Sequence, residues 1–351
     1  MNLWNKEKYY EYAREIFTCD SPTGYTIEAI KLIENYLKKW GYSYNITNKG
    51  NIEVVIEGHD NSKCVATSAH VDTLGLMVRS IKGNGTLALV TLGGPITPTL
   101  DAEYCTILTR DNKRYSGTIL STSPATHVYP DANSKDRLIH NLEVRIDEQV
   151  HCADDVRKLG INNGDIVFID PKFTITESGF IKSRFIDDKA SVCILLLLLE
   201  EMHKNKIVPL FKTRIYFVVH EEVGHGASAI AEDISEFVTI DMGCVGLDLA
   251  GNEYAVSICA KDSRSPYDYE LTTRLINEAK ELKLNYAVDI FPFYGSDVGA
   301  ALSAGRDFKG ALIGCGVHAS HGMERTHISG VENTYKLISK YLLGKSSREW
   351  N

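Results

Sequence analysis

The sequence has 351 residues, 44% of them hydrophobic, and a formal net charge of −8 at pH 7. This length and composition provide a core for one large domain or two ordinary ones. The acidic balance and the scattered lysines and arginines argue against a nucleic-acid-binding surface, which needs a basic patch.

Two features indicate the compartment. The eight cysteines form no C-x-x-C pair, and several lie in apolar runs, as Cys193 does. We therefore expect free thiols in a reducing cytoplasm. The N-terminus is charged and aromatic where a signal peptide needs an apolar core, and the apolar stretch 190–199 is about half as long as a bilayer requires. We expect no export and no membrane span.

The N-terminal part of the chain predicts two helices and two strands. Segments 4–17 and 26–40 space their apolar residues helically, and 51–57 and 64–70 have the pattern of strands. His70 is placed at the end of the second strand. From about residue 74 to 172, short β-like runs alternate with Gly, Pro, Asn and Asp, and the only helix is a short one near 153–159.

This change of character predicts a small β-rich domain, residues 74–174, inserted into a catalytic domain built from 1–73 and 175–351. The alternative is one continuous α/β domain with long loops. After Asp187 an apolar helix runs to about Lys204, and 212–220 is a strand of the buried type. Further strands at 237–240, 254–259, 287–290 and 310–313 alternate with helices near 267–282, 297–304 and 331–343. The alternation predicts an α/β fold with a mostly parallel mixed sheet, flanked by helices, whose strand ends carry the active-site loops.

Short polar clusters follow the apolar, strand-like runs. They are AHVD (69–72), IDD (186–188), HEEVG (220–224), TID (239–241) and RTH (325–327). Imidazole nitrogens together with a surplus of carboxylates suit a pair of zinc-like ions. Each cluster alone is a weak signal, because surface carboxylates and helix N-caps are common. As a set they point to a metal-dependent hydrolase.

The spacing suggests roles for some of these residues. His70 and Asp72 are two apart in an extended segment, so one can bind metal while the other orients it. Glu221 and Glu222 follow a buried strand, where adjacent carboxylates repel unless a cation or proton is present. Consecutive residues do not share a strand face, so one of the pair can bind metal while the other faces the attacking water. A solvated loop is the alternative.

Several choices stay open at the level of residue chemistry. Only one carboxylate of Asp187 and Asp188 is needed for metal, since the other can cap the following helix. Asp241 lies at the tip of a buried strand. His318, His321 and His327 all lie in one loop, and chemistry alone does not choose among them. No G-x-S-x-G elbow, cysteine-protease signature, Walker loop or dinucleotide fingerprint is present.

The order of the clusters resembles metallopeptidase family 42, the glutamyl, deblocking and tetrahedral aminopeptidases. The motifs are AHVDTLGLMV (69–78), FIDDK (185–189), EEVG (221–224), Asp241, GSD (295–297) and Thr326-His327. The resemblance implies a two-metal catalytic domain interrupted by a β-rich dimerisation domain. It implies the metal ligands His70, Asp187, Glu222, Asp241 and His327, with Asp187 bridging the ions. It further implies that Asp72 orients His70 and that Glu221 is the general base.

From this resemblance we expect a cytoplasmic, dinuclear metal-dependent aminopeptidase that hydrolyses N-terminal residues from peptides. Two divalent ions per subunit, Zn or Co and otherwise Mn, and a homo-oligomer from dimer to dodecamer are implied, with no nucleic acid and no membrane. The alternatives are a metal-dependent deacylase or amidase of N-acylated substrates, and an endoglucanase-like glycoside hydrolase. Three departures from the family pattern are a shortened loop at His225, the segment after Asp241, and a final His-Ile-Ser that keeps His321 as a rival to His327.

Overall fold

The computed structural model describes residues 3–344, which form two compact units. One unit comprises the described residues of Met1–Asp72 and Phe173–Asn351, and the other is Thr73–Lys172. The described residues contain seven α-helices: α1 Lys6–Thr18, α2 Ile27–Trp40, α3 Ala153–Lys158, α4 Ile186–Asn205, α5 Tyr269–Glu281, α6 Asp297–Ser303 and α7 Ile328–Leu343.

The strands of the same residues are numbered in chain order. They are β1 Tyr44–Ile46, β2 Ile52–Ile56, β3 Asp60–His70, β4 Gly75–Ile81, β5 Leu87–Leu92, β6 Tyr104–Leu108, β7 Arg114–Ser121, β8 Leu142–Ile146, β9 Ile166–Ile169, β10 Thr174–Ile175, β11 Phe180–Ser183, β12 Phe211–Val218, β13 Ile234–Ile240, β14 Gly243–Cys244, β15 Val256–Lys261, β16 Tyr286–Ile290, β17 Lys309–Val317 and β18 Glu324–His327.

The larger unit is built on a mixed nine-stranded sheet with the order β1-β2-β12-β3-β13-β17-β15-β16, and β14 pairs with β17. The central strands β12, β3, β13 and β17 run parallel to one another, whereas β2 and β15 pair antiparallel to their neighbours β12 and β17. A small antiparallel sheet, β10-β11-β18, completes this unit. The predicted α/β fold with a mostly parallel mixed sheet is confirmed.

Alternating side chains bury both faces of the large sheet. In β13, Val238 and Ile240 join the larger apolar cluster, which includes α1, α2, α4, α5 and α7, while Phe237 joins a second cluster against α6. Because side chains of a strand point alternately to opposite faces, helices cover the sheet on both sides. The apolar run of α4 is wholly buried, with Val192 to Leu199 at 0% exposure. Among the described residues, no helix is both long and apolar enough to cross a membrane.

The smaller unit is a closed β-barrel with the order β4-β5-β8-β7-β6-β9, in which every pair is antiparallel. Closure leaves no unpaired edge strand. Its limits lie one or two residues before those expected from the sequence. The helix expected at 331–343 begins earlier, at Ile328, because the His327 side chain accepts a hydrogen bond from the Ser329 N–H and caps its N-terminus.

Candidate metal centre

The ends of three neighbouring parallel strands bring most of the predicted site residues together. His70 is the last residue of β3, Glu221 and Glu222 lie in the turn after β12, and Asp241 directly follows β13. Since β3 pairs in parallel with both β12 and β13, these strand ends meet at one edge of the sheet. Asp187, in the first turn of α4, lies at the same edge, with one carboxylate oxygen 3.0 Å from His70 Nε2.

Two overlapping groups of potential ligands share His70. One contains His70, Asp187 and Glu222, and the other contains His70, Glu221 and Asp241; within each group the ligand atoms lie within 4.8 Å of one another. A further imidazole borders the first group, because His321 Nε2 lies 3.6 Å from Asp187 Oδ2 and 3.7 Å from Glu222 Oε2. Asp187 therefore presents one carboxylate oxygen to His70 and the other to His321.

His70 is held so that its Nε2 faces the cluster. Its Nδ1 lies 2.8 Å from the backbone carbonyl oxygen of Asp72, which can only accept a hydrogen bond, so Nδ1 carries the hydrogen. In the neutral ring Nε2 then carries a lone pair, although it faces an Asp187 oxygen at 3.0 Å. Two acceptors at this distance require a proton or a metal ion between them. Burial lowers the pKa of His70, but Asp187, Glu221 and Asp241 together raise it well above its ordinary value.

Asp72 is completely buried and positions the glutamate pair. Its two carboxylate oxygens accept hydrogen bonds from the backbone N–H groups of Glu221, at 3.0 Å, and Glu222, at 3.2 Å. The carboxylate is 3.8 Å from His70 Nδ1, so its backbone carbonyl and not its side chain orients the imidazole. One residue thus fixes both the first imidazole and the turn that carries Glu221.

Glu324 is a buried residue that the sequence did not single out. Its carboxylate accepts hydrogen bonds from the backbone N–H of Asp187, at 3.0 Å, and of His321, at 2.9 Å. Burial raises the pKa of Glu324 to about 8. The alternation in β18, where Glu324 and Thr326 are buried and Arg325 is exposed, is the sequence signal that could have found it.

Asp241 depends on a close approach between two backbones. Its N–H donates to the carbonyl of Ile313 in β17 at 2.9 Å, and a Cβ at Gly314 would lie 1.4 Å from the Asp241 carbonyl oxygen. Only glycine fits there. The Asp241 carboxylate accepts from the next backbone N–H, that of Met242, at 2.6 Å.

The charges of the cluster do not balance without a cation. Burial raises the pKa of Glu221 and Glu222 well above the ordinary value and that of Asp241 to about 7. Asp187 differs: although burial raises its pKa, the neighbouring imidazoles of His321 and His70 lower it below the ordinary value. Glu222 Oε1 is buried and has no hydrogen-bond partner among residues 3–344. Four carboxylates around two imidazoles, with one oxygen lacking a partner, fit divalent cations.

The structure does not bring His327 into this cluster. Its Nδ1 accepts from the Ser329 N–H at 3.1 Å, its Nε2 lies 2.8 Å from the Ser178 carbonyl oxygen, and its ring packs against Phe180 and Tyr254. Both ring nitrogens are engaged in hydrogen bonds to the protein, so no lone pair is left for a metal. His318 is exposed. Of His327 and His321, it is His321, the rival that the sequence had left open, that lies beside the carboxylate cluster.

Comparisons with known proteins identify the family of this chain. The model of the M42 glutamyl aminopeptidase family matches residues 50–337. A protein of Bacillus subtilis named "Putative aminopeptidase YhfE" is 43% identical over 95% of this chain and 97% of its own length. The fold is similar to that of a TET aminopeptidase from a marine-sediment thaumarchaeon, with a TM-score of 0.87, 18% identity, and coverage of 98% of this chain and 100% of that one. It is also similar to the Pyrococcus horikoshii TET1 peptidase, described as assembling into a tetrahedron or a large octahedral shell, with a TM-score of 0.83, 19% identity, and coverage of 96% and 100%.

Proposed function

The chain belongs to the M42 glutamyl aminopeptidase family and is an aminopeptidase, a hydrolase of peptide bonds, and we propose that it works with two divalent ions held by the cluster around His70. The single observation that carries the proposal is the position of Asp187 between the imidazoles of His70 and His321. Glu222 belongs to the same ligand group as Asp187, and Asp241 belongs to the second group around His70.

The ligand set follows from this arrangement. His70 and Asp241 would hold one ion, Glu222 and His321 the other, and both would share Asp187. Zinc or cobalt suits such a mixture of imidazole and carboxylate ligands. When bound, divalent ions polarise the scissile carbonyl and lower the pKa of water.

The protein's own groups supply proton transfer and orientation. Glu221 is the general base: its carboxylate takes a proton from the attacking water and returns it to the leaving amine. Support comes from its place beside the ligand set, 3.9 Å from His70 Nε2, without a hydrogen bond that commits its carboxylate elsewhere among the described residues. Asp72 keeps Glu221 aimed by holding the backbone of the turn. Glu324 does the same for Asp187 and His321.

We extend the proposal to assembly and location. The Pyrococcus relative assembles into closed shells, and we propose that this chain forms a homo-oligomer, with the barrel of Thr73–Lys172 as its dimerisation domain. None of the eight cysteines forms a disulfide among residues 3–344, which supports a reducing cytoplasm. Light scattering on the purified protein measures the assembly directly; a monomer at micromolar concentration would contradict this part.

Activity is tested with apo-protein reloaded separately with Zn²⁺, Co²⁺ or Mn²⁺ and a panel of free and N-acylated peptides. We expect stepwise release of N-terminal residues from free peptides and no cleavage of blocked ones. Cleavage of blocked substrates only would identify a deacylase, and cleavage of β-glucans that persists in chelator would favour a glycosidase.

The role of Glu221 is tested by Glu221→Gln. We expect turnover to fall by about 10³-fold or more while the metal content stays near that of the wild type, because the base lies beside the ligand set and is not part of it. Substantial residual turnover with an intact metal content would remove Glu221 as the base.

A further inference from the structure

Tyr294, a half-buried residue whose hydroxyl is buried, has no role in the reaction as described so far. The Tyr294 hydroxyl is inaccessible to solvent and has no hydrogen-bond partner among residues 3–344. A buried hydroxyl usually finds a partner, because leaving one unsatisfied costs about 1–3 kcal/mol. A buried donor without a partner in the protein therefore indicates a group that hydrogen-bonds to a bound molecule.

The surroundings of this hydroxyl place it at the catalytic cluster. The pKa of Tyr294 is raised well above its ordinary value by burial and then by the charges of Asp241 and Asp187, with Glu221 also contributing. Conversely, the Tyr294 hydroxyl lowers the pKa of Asp241 through a side-chain interaction, which places the two groups next to each other, although their geometry does not complete a hydrogen bond. The hydroxyl thus lies near a proposed ligand, the shared carboxylate and the base.

The side chain is held in this position by its neighbours. The Tyr294 ring packs edge-on against the buried Phe291, with ring centres 5.5 Å apart. Its backbone carbonyl accepts hydrogen bonds from the N–H of Ser263, at 2.9 Å, and from the Ser263 hydroxyl. A donor fixed in this way needs no reorganisation when charge develops near it.

The rest of the cluster offers acceptors where a donor is needed. Carboxylates only accept hydrogen bonds. The backbone N–H of His70 donates to Asp188, and its ring Nδ1–H donates to the Asp72 carbonyl. His220 Nδ1 is also buried without a partner, but the charges that act on it are those of Asp72, His225 and Lys49, none of which is a proposed ligand or base. Tyr294 is the better placed donor.

We propose that the Tyr294 hydroxyl is a catalytic group that donates a hydrogen bond to the substrate's carbonyl oxygen as that oxygen becomes negative. The phenol keeps its proton throughout: water adds to the carbonyl carbon, the C=O π electrons move to oxygen, and collapse of this species breaks the C–N bond as Glu221 delivers the proton to nitrogen. This inference rests on the proposed aminopeptidase function.

Tyr294→Phe tests it by removing one oxygen atom and keeping the packing on Phe291. For the best peptide of the panel we expect kcat to fall on the order of 10²-fold, the typical effect of losing one oxyanion donor, with KM nearly unchanged. Metal content should remain that of the wild type. A phosphinic analogue of the same peptide, whose tetrahedral phosphorus oxygens imitate the charged intermediate, should bind more weakly by a similar factor, while the product amino acid binds equally well.

The matched control is Tyr267→Phe. Tyr267 is a neighbouring buried tyrosine whose hydroxyl donates to Asp262 at 2.9 Å and bonds Ser296 at 2.7 Å, so its loss should lower the melting temperature and leave kcat near the wild-type value. A Tyr294→Phe enzyme with kcat within about threefold of wild type would overturn the inference. So would a loss of metal, which would make Tyr294 a support for Asp241. Inactivity of the wild type itself on every peptide would instead refute the proposed function.

Discussion

The exchange of one histidine for another in the ligand set gives the sharpest prediction. His321→Ala removes the imidazole that lies 3.6 Å from Asp187 Oδ2 and 3.7 Å from Glu222 Oε2. Structural zinc sites bind with about 10–16 kcal/mol in total, so one ligand of four is worth about 3 kcal/mol, or roughly two orders of magnitude in affinity. We expect one of two ions to be lost on dialysis against a weak chelator.

His327→Ala is the matched control, since it removes an imidazole from the same loop. It should keep both ions and lose stability instead. The lost N-cap of α7 costs about 1 kcal/mol, and the ring contacts with Phe180 and Tyr254 cost about 0.5–1.5 kcal/mol each. The melting temperature should therefore fall by several degrees without a change in metal content.

The assay is elemental analysis of both variants after dialysis, together with thermal unfolding. His321 has a left-handed backbone with φ of 64°, so His321→Gly is a second variant that relieves any backbone cost of the substitution. Loss of an ion from the His327 variant, with full occupancy in both His321 variants, would refute the assignment and restore the ligand that the family resemblance implies.

Two further predictions concern positions outside the ligand set. Gly314→Ala should displace Asp241, because the new Cβ would lie 1.4 Å from its carbonyl oxygen, and should reduce metal content and stability together. Gly246→Ala is the control that should change neither, because no atom lies within 4 Å of its new Cβ. Equal behaviour of the two variants would contradict the close approach of the two backbones at Gly314. Glu278, whose pKa burial raises to about 7, should make the protein less stable as pH rises from about 4.5 through 7, since the native state favours its protonated form. Denaturant unfolding should then show Glu278→Gln to be more stable than wild type at pH 8.5, by at most about 3 kcal/mol, and equal at pH 4; a constant difference would refute the titration.

The sequence predicted the parts of the site that local pattern determines. His70, Glu221 and Asp241 follow apolar strand runs, and parallel pairing of those strands requires their ends to meet. Hydrophobic alternation is a local signal, so the sheet, the buried helix α4 and the strand-end clusters could all be predicted. The short strands β1, β10 and β14 could not, because two or three residues contain no readable period.

The choice among the C-terminal histidines depends on tertiary structure. His321 reaches the cluster because the chain turns through left-handed residues at Ala319 and His321, and because Glu324 accepts the His321 N–H. His327 is drawn away by the Ser178 carbonyl, which comes from a strand connection 149 positions earlier. Because Ser178 is far from His327 in sequence, residue type and spacing gave the three histidines equal standing.

Glu324 joins two parts of the proposed ligand set, Asp187 and His321. Its single carboxylate ties the backbone of Asp187, 137 positions away, to that of His321. In the proposed site both ions would share Asp187, so one buried acid would fix the shared carboxylate and the outer imidazole at once. A buried carboxylate with a raised pKa is costly, so we interpret Glu324 as a positioning residue. The positions of Asp187 and His321 therefore depend on a residue that would contact neither ion.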